Sequence, residues 1–538
     1  MQPLYTPILP TVARPMRFAL ACPGDRRIAL SALGYQTLFK LLDTHEAVDA
    51  IQLDLDNAAS APAALDLIGV SFPFELDILN IFKLFESMGK DPLASNRPDE
   101  LWFAGGPVPT SNPEPFVDFF DFFLIGDGEP AFEALIALWQ SPGFAALSKA
   151  QKLAEIARSV PGAYVPSLVK VAYEPYELAV TQLRPQEADL AFPVQKASVP
   201  PGQMNAYLAT SAWVSPESYF PDTYLVEVQR GCAHRCRFCL ASYTTLPAQG
   251  ASLAQLQSAI TQGLRYSHKI GLLGALVADH PDFEALCDWL MLQMQQNPEI
   301  KLSVASLRAD TLTPKIAATM AQGGQKQLTI AIESGAEGLR ARINKHLKTE
   351  AIFAAAEAAL AGGIAGLKLY TMAGLPTEID ADIDATAELI KALKKAFPRL
   401  KLTLGCSTFV PKAQTPFQWQ ARLDTATLKR RLERLRKQTA RFAECHFSSP
   451  RWDFLQALLA RGDRRLGPVL WQWYLAGGGP SALKQCWKAQ QKALQLPSME
   501  AMACDARPTS ALLPWSMISL GVSPKVLAQE AELSLSKA

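Results

Sequence analysis

Between residues 223 and 410 the chain alternates six apolar, strand-like runs with helical stretches, and this alternation limits the fold more than any other feature. The runs are YLVEVQ (224–229), IGLLGALV (270–277), KLSVAS (301–306), LTIAIE (328–333), GLKLYTMA (366–373) and KLTLGCST (401–408). Helical segments such as LAQLQSAITQGLR and EAIFAAAEAALAGG lie between them. Strands separated by helices pair in parallel, because each helix carries the chain back to the start of the next strand. Six such repeats predict a partial or complete parallel barrel, with its chemistry at the C-terminal strand ends.

A second α/β stretch covers residues 16–140. MRFALAC, LDLIGVSF, LWFAGG and FDFFLIGDGE read as strands, with helical SALGYQTLFKLL, ELDILNIFKLFESMG and PAFEALIALWQ following three of them. This predicts a doubly wound parallel sheet. Residues 161–222 carry Pro161, Pro166, Pro175, Pro193, Pro200, Pro201, Pro216 and Pro221 and read as an extended connector. Residues 411–538 are helical and hold six of the ten tryptophans, which suggests packing of their own. The expected organisation is therefore an α/β domain over 1–160, the connector over 161–222, the barrel over 223–410 and a helical region over 411–538.

The segment EVQRGCAHRCRFCLAS follows the first barrel strand and places Cys232, Cys236 and Cys239 in a C-x3-C-x2-C spacing. The other six of the nine cysteines are scattered, which argues against a disulfide framework. Thiolates are soft ligands suited to zinc or to iron–sulfur clusters. Three close cysteines ligate three irons of a cubane and leave the fourth iron open to a substrate. The alternatives are three structural cysteines, or a zinc site completed by His234. Zinc sites commonly need a second ligand pair elsewhere, and none is visible. Gly231 permits the tight turn into the loop, Phe238 is placed to shield a cluster from water, and Arg230, Arg235 and Arg237 bring positive charge near it.

The spacing, the aromatic before the last cysteine and the strand-to-loop position resemble the radical S-adenosylmethionine (SAM) superfamily over residues 220–410. The resemblance implies a 4Fe–4S cluster on Cys232, Cys236 and Cys239 that cleaves SAM reductively to a 5′-deoxyadenosyl radical. It also implies further cofactor-binding positions. Gly274-Ala275-Leu276 stands where such proteins carry a glycine-rich, often acidic turn for the SAM amino group. The acid is absent, so backbone carbonyls are expected to serve; Asp279 is close in sequence. Glu333 ends the fourth strand, where an acid accepts the SAM ribose hydroxyls. Ser306 and Arg308 are placed for the methionyl group. Lys368, within an apolar strand, needs a carboxylate from SAM or substrate, or a partner on a neighbouring strand. GLPTE (374–378) resembles the loop after the fifth strand in many members.

The N-terminal stretch resembles the cobalamin-binding-like domain that precedes many radical SAM domains. Members with a histidine lower ligand carry Asp-x-His-x-x-Gly, then a serine, then Gly-Gly. Here Asp25, Arg27 and Leu30 occupy the first motif, followed by Ser71, Gly105-Gly106 and Gly126-Asp127-Gly128-Glu129. His45 lies well downstream. A histidine-ligated corrinoid is therefore not expected; a corrinoid without a protein ligand, or a domain kept for substrate docking, both remain open. FVPKAQTPFQW (409–419) and LARGDRRL (459–466) resemble segments of cobalamin-domain-linked members whose substrates these motifs do not name. A methylthiotransferase is disfavoured, because Cys22 alone is available for a second cluster in the N-terminal domain.

The formal net charge is +1, so nothing demands a nucleic-acid partner. LKRRLERLRKQTARF (428–442) is a basic helix with leucines on one face, read either as a solvated amphipathic helix or as a contact for RNA. MQPLYTPILPTVARP lacks the pattern of a signal peptide, and no apolar run reaches the length of a membrane span, so a soluble, cytoplasmic protein is expected. The sequence thus predicts a radical SAM enzyme acting on a small molecule or cofactor precursor, with cobalamin-dependent methyl transfer if a corrinoid is bound. A low-potential flavodoxin or ferredoxin donor is implied by the resemblance. RNA modification, and an iron–sulfur electron-transfer or sensing protein, are the alternatives.

Overall fold

The computed structural model describes residues 3–12 and 15–535; the ends of the first and last expected segments lie outside them. The N-terminal sheet holds β1 (Met16–Ala21), β2 (Val48–Leu53), β3 (Leu67–Ser71), β4 (Leu101–Gly105), β5 (Phe122–Leu124) and β6 (Ala163–Tyr164). Their spatial order is β2-β1-β3-β4-β5-β6, parallel except for β6. The order reverses between β1 and β3, and such a switch point opens a crevice beyond the strand ends.

Successive strand residues point to opposite faces, and the sheet therefore builds two cores. Phe18, Leu20, Leu67, Phe103, Phe122 and Leu124 pack on one side with the helices Leu33–Asp43, Gly128–Gln140 and Lys149–Ser159. Ala19, Ile68, Val70, Trp102, Ala104 and Phe123 pack on the other. There the cover is the helix Ile78–Ser87 together with C-terminal Leu458, Leu470, Trp473, Trp487 and Met502. Part of the tryptophan-rich region thus completes the second layer of the N-terminal domain, while Trp419 and Trp515 pack in a smaller cluster with Leu513, Leu527 and Ala531.

LARGDRRL makes much of this attachment. Arg464 binds the fully buried Glu114 through Nε to Oε2 at 2.8 Å and Nη2 to Oε1 at 3.1 Å. Tyr164 donates its hydroxyl to the same carboxylate at 2.5 Å. Arg461 donates to the carbonyls of Ala503 and Asp505.

The second α/β unit contains six parallel strands, Thr223–Arg230, Lys269–Gly274, Lys301–Val304, Gln327–Glu333, Gly366–Ala373 and Lys401–Thr408. A parallel bridge from Leu307 to Ile330 joins the third to the fourth. A short strand, Glu444–Phe447, pairs in parallel with the sixth. Two β-bulges fall at matching places, between Glu227 and Gln229 and between Ala331 and Glu333. Bulges re-aim side chains at barrel rims, and here they lie beside the cysteine loop and Glu333. In the fifth strand Leu367, Leu369 and Thr371 are buried against the helices, whereas Lys368, Tyr370 and Met372 on the other face stay partly accessible. The fourth strand alternates likewise through Thr329 and Ala331. These faces of the fourth and fifth strands are therefore not fully covered by other side chains.

The connector is more structured than an extended tether. It forms the hairpin Val169–Tyr173 with Val180–Pro185, and it pairs Val194–Gln195 with Ile518–Ser519. The helix Thr425–Thr439 buries Leu428, Leu432 and Leu435. Its Arg431 pairs with Glu378 and Asp380, and its Arg434 with Asp384, so these two basic residues serve to dock the helix on the barrel. No helix among the described residues is long and apolar enough to cross a membrane.

Candidate active site at the barrel mouth

The cysteine loop leaves the first barrel strand through Gly231, whose φ is +79°. A Cβ there would stand 2.3 Å from the Thr245 carbonyl oxygen, so both conformation and space require glycine. Backbone bonds then fix the loop. Arg237 N–H donates to Ile343 O at 3.0 Å, Phe417 N–H to Arg237 O at 3.2 Å, and Cys239 N–H to Cys236 O at 3.0 Å. Tyr243 donates its hydroxyl to Arg235 O, and Asn344 Nδ2 donates to the carbonyls of His234 and Arg235. Four of the nine non-glycine residues with positive φ among the described residues lie here: Arg235, Glu333, Asn344 and His346. Such strained positions persist where surrounding structure over-determines them, and they cluster at functional sites.

The three thiols converge, with Cys239 interacting electrostatically with Cys232 and Cys236 with Cys239. Burial pushes the Cys236 thiol up to about 12, with Lys345 and Arg308 pulling against it. Burial likewise raises the Cys239 thiol, with neighbouring Ser242 pulling against it. Lys345 donates to Glu333 Oε1 at 2.9 Å; both are almost fully buried. Arg308 makes a bidentate contact with Asp310 at 2.9 and 2.8 Å and donates to the Lys345 carbonyl at 3.1 Å. The cationic groups that act on Cys236 are therefore Lys345 and Arg308.

This corrects the expectation for the three loop arginines. Arg230 is shared by Glu129 at 2.8 Å, Glu227 at 3.0 Å and Asp127 at 3.3 Å. Arg237 turns to Glu530 of the last helix at 2.9 Å. Arg235 is exposed. Asp127 and Glu129, from the Gly126–Glu129 turn, thereby clamp the residue that precedes the cysteine loop, joining the N-terminal domain to it.

His234, the residue that would complete a zinc site, contacts Asp279 through Nε2. Among the described residues no three His, Cys, Asp or Glu side chains close around a single ion. A cubane, whose cysteines each hold a different iron, needs its sulfurs further apart than the ligands of one ion. Three converging thiols without a fourth protein ligand fit an iron–sulfur cluster with one open iron.

The remaining expected positions do not form one cluster. Gly274 and Ala275 line a cavity of about 300 Å³ together with Glu129, Glu227, Gly231 and Thr37. Ser306 is half-buried after the third strand. Lys368 makes no ion pair among the described residues; its ammonium sits 4.8 Å from the centre of the Tyr370 ring, on the accessible face of the fifth strand. Phe238 packs with Leu339, Ile343, Phe409 and Phe417 beneath the loop.

Ser71, Gly105 and Gly106 line a separate cavity of about 280 Å³ at the β1/β3 switch point, with Leu20, Tyr35, Leu38, Phe103 and Phe132. Arg27, at the lower-ligand position, faces away from it. Its ring contact is Tyr219, 4.5 Å away, and its Nε donates to Glu217 O at 3.3 Å. Leu30 is core. Gly34 lines both this cavity and the one at the barrel mouth.

Asn344 and Lys345 were not singled out from the sequence. The only signal was a basic residue in the polar stretch NKHLK, without periodicity to place it.

A partial parallel barrel with three converging cysteines after its first strand defines the radical SAM class. Residues 226–390 match the family model of the radical SAM superfamily, and residues 39–166 match that of the radical SAM protein N-terminal region. The chain is a radical SAM enzyme, a family that takes a 4Fe–4S cluster, SAM and electrons from a reductant. It is 27% identical over 458 residues to an uncharacterised protein of Methanocaldococcus jannaschii, covering 84% of this chain and 90% of that protein. Among solved structures it is similar to OxsB, a cobalamin-dependent SAM radical enzyme with aqua-cobalamin and SAM bound. The identity is 14%, the TM-score 0.50, and the match covers 90% of this chain and 71% of that one, which shows a shared fold. The radical SAM methyltransferase TsrM from Kitasatospora setae matches at 12% identity and TM-score 0.49, over 72% of each chain.

Proposed function

We propose that the protein cleaves SAM at Cys232, Cys236 and Cys239 and transfers a methyl group to a small molecule or cofactor precursor, with a corrinoid held by the N-terminal domain. The carrying observation is that Gly34 lines both the switch-point cavity and the cavity at the barrel mouth. The fold shared with a cobalamin-dependent enzyme supports the same reading. A cavity of about 280 Å³ is far smaller than a whole corrinoid and suits one apolar arm of it. Arg27, which stands where similar domains carry the lower-ligand histidine, is held instead by Tyr219 and the Glu217 carbonyl.

When bound, the cluster with SAM supplies a 5′-deoxyadenosyl radical, and a corrinoid supplies a transferable methyl group. The chain's own residues hold and orient. Cys232, Cys236 and Cys239 bind three irons. Arg308 and Lys345 offer buried positive charge to the SAM carboxylate, Glu333 accepts its hydroxyls, and Gly274 and Ala275 present backbone to its amino group. Ser306 and Lys368 face the remainder of the ligand from the strand ends and the barrel interior. The described cysteines are all free, consistent with a reducing cytoplasm. A flavodoxin or ferredoxin is the natural class of low-potential donor.

Lys345→Met is expected to weaken SAM binding by about tenfold to a hundredfold, the range for a hydrogen bond to a charged group. Equilibrium dialysis of cluster-loaded protein measures it, and unchanged affinity would remove Lys345 from the SAM site. The corrinoid is tested by mixing protein with hydroxocobalamin, desalting, and reading the visible spectrum. One equivalent should remain bound. Nothing lies within 4 Å of a Cβ added at Gly34, so Gly34→Phe should fold yet block the cavity and lose the corrinoid. If the unsubstituted protein retains none, methyl transfer from a corrinoid is wrong, while SAM cleavage is judged separately.

A further inference from the structure

The inner faces of the last three barrel strands hold a cation without a counter-charge. Parallel pairing sets Lys368 beside Thr329 and Thr403, Tyr370 beside Ala331 and Gly405, and Met372 beside Ser407. Side chains alternate along each strand, and the other face, with Leu367, Leu369, Leu402 and Leu404, belongs to the helix-covered core. None of the partners on the inner face is a carboxylate.

Lys368 makes no hydrogen bond or ion pair among the described residues, and its ammonium stands 4.8 Å from the centre of the Tyr370 ring. Tyr370 lies nearer the C-terminal end of the strand, so the lysine leans toward the barrel mouth. The tyrosine is 42% exposed. Gly405 makes room for its ring, since a Cβ there would stand 2.7 Å from Tyr370 Cδ1. A cation over an accessible ring is held weakly. A carboxylate gives an ammonium charge-assisted hydrogen bonds, which are the stronger kind. Glu227, an acid of the first barrel strand, is held by Arg230 at 3.0 Å. The SAM carboxylate has Arg308 and Lys345 to meet it, which leaves Lys368 for another anion.

We propose that Lys368 and Tyr370 form the substrate subsite of the barrel, and that the substrate is a carboxylic acid. Its carboxylate pairs with Lys368 and its apolar body lies along the accessible part of the Tyr370 ring. This rests on the reading of the barrel mouth as the SAM-cleaving site. Ala373 ends the strand five residues after Lys368, roughly 16 Å further up at about 3.3 Å per residue. The acid end is therefore anchored below the mouth, and the carbon that reacts projects up toward the cysteine loop.

Fluorine NMR titration of the full-length, cluster-loaded protein tests this, with SAM present and no reductant. The probes are para-fluorobenzoate and its neutral counterpart para-fluorobenzamide. The acid should bind about tenfold more tightly than the amide. Lys368→Met keeps the length of the side chain, removes the charge and should bring the two affinities together. Lys368→Arg should keep the preference, and Tyr370→Ala should weaken both probes alike. Lys368→Gln takes the place of Lys368→Met if the methionine variant fails to fold. Absence of acid binding by the parent up to millimolar concentration overturns the proposal. So does a preference for the acid that Lys368→Met leaves intact, which would place the anion elsewhere, as at Arg308 or Lys345. The titration involves no turnover, so its failure is distinct from a failure of SAM cleavage, which 5′-deoxyadenosine formation reports.

Discussion

Replacing Cys232, Cys236 and Cys239 together by alanine is expected to reduce 5′-deoxyadenosine formation to the detection limit. The parent protein, purified without oxygen, reconstituted with iron and sulfide and mixed with SAM and dithionite, should form the nucleoside. The loss follows from chemistry rather than from unfolding. Alanine offers no ligand to iron, while the loop keeps its backbone bonds from Arg237 to Ile343 and from Phe417 to Arg237. Iron is bound by thiolates, which form on metal binding, and alanine has none to offer, so iron content falls with activity. A variant with native circular dichroism and no iron completes the expected result. Absence of nucleoside from a parent carrying its full iron would sink the SAM-cleaving reading and move the protein to electron transfer or sensing.

The second large effect is on stability. Glu114→Gln leaves the Arg464 guanidinium without its counter-charge next to a fully buried position. Breaking a buried pair from one side costs about 3–5 kcal/mol, because the remaining charge stays desolvated. Tyr164 and Tyr173 also donate to this carboxylate, so the whole group loosens. Urea unfolding followed by tryptophan fluorescence reads the change where Trp473 and Trp487 pack against the N-terminal sheet. The double variant Glu114→Gln, Arg464→Met should recover much of the loss, since neither buried charge then remains. An unchanged midpoint in the single variant would mean that the pair does not hold the C-terminal helices.

Much of the barrel was legible because its signal is local. The fifth and sixth strands fall at 366–373 and 401–408, the limits their apolar runs suggest. The elements missed are those without such a run. Val48–Leu53 alternates apolar and polar residues at the sheet edge, and Glu444–Phe447 reads ECHF. Arg230, Arg235 and Arg237 were legible as charges but not as directions. Two of them turn to carboxylates from distant segments, Glu129 and Glu530. The same holds for Lys368, whose partner in the structure is the Tyr370 ring.

The sequence alone determined the two α/β units and the cysteine loop after the first barrel strand, since strand period, glycine turns and ligand spacing act over a few residues. Only the tertiary structure decided which charges meet the thiols, that the C-terminal helices complete the N-terminal core, and that Gly34 lines two cavities. Those outcomes depend on pairing surfaces and charges hundreds of residues apart. Burial makes such partners matter energetically, and no local pattern records which of them will meet.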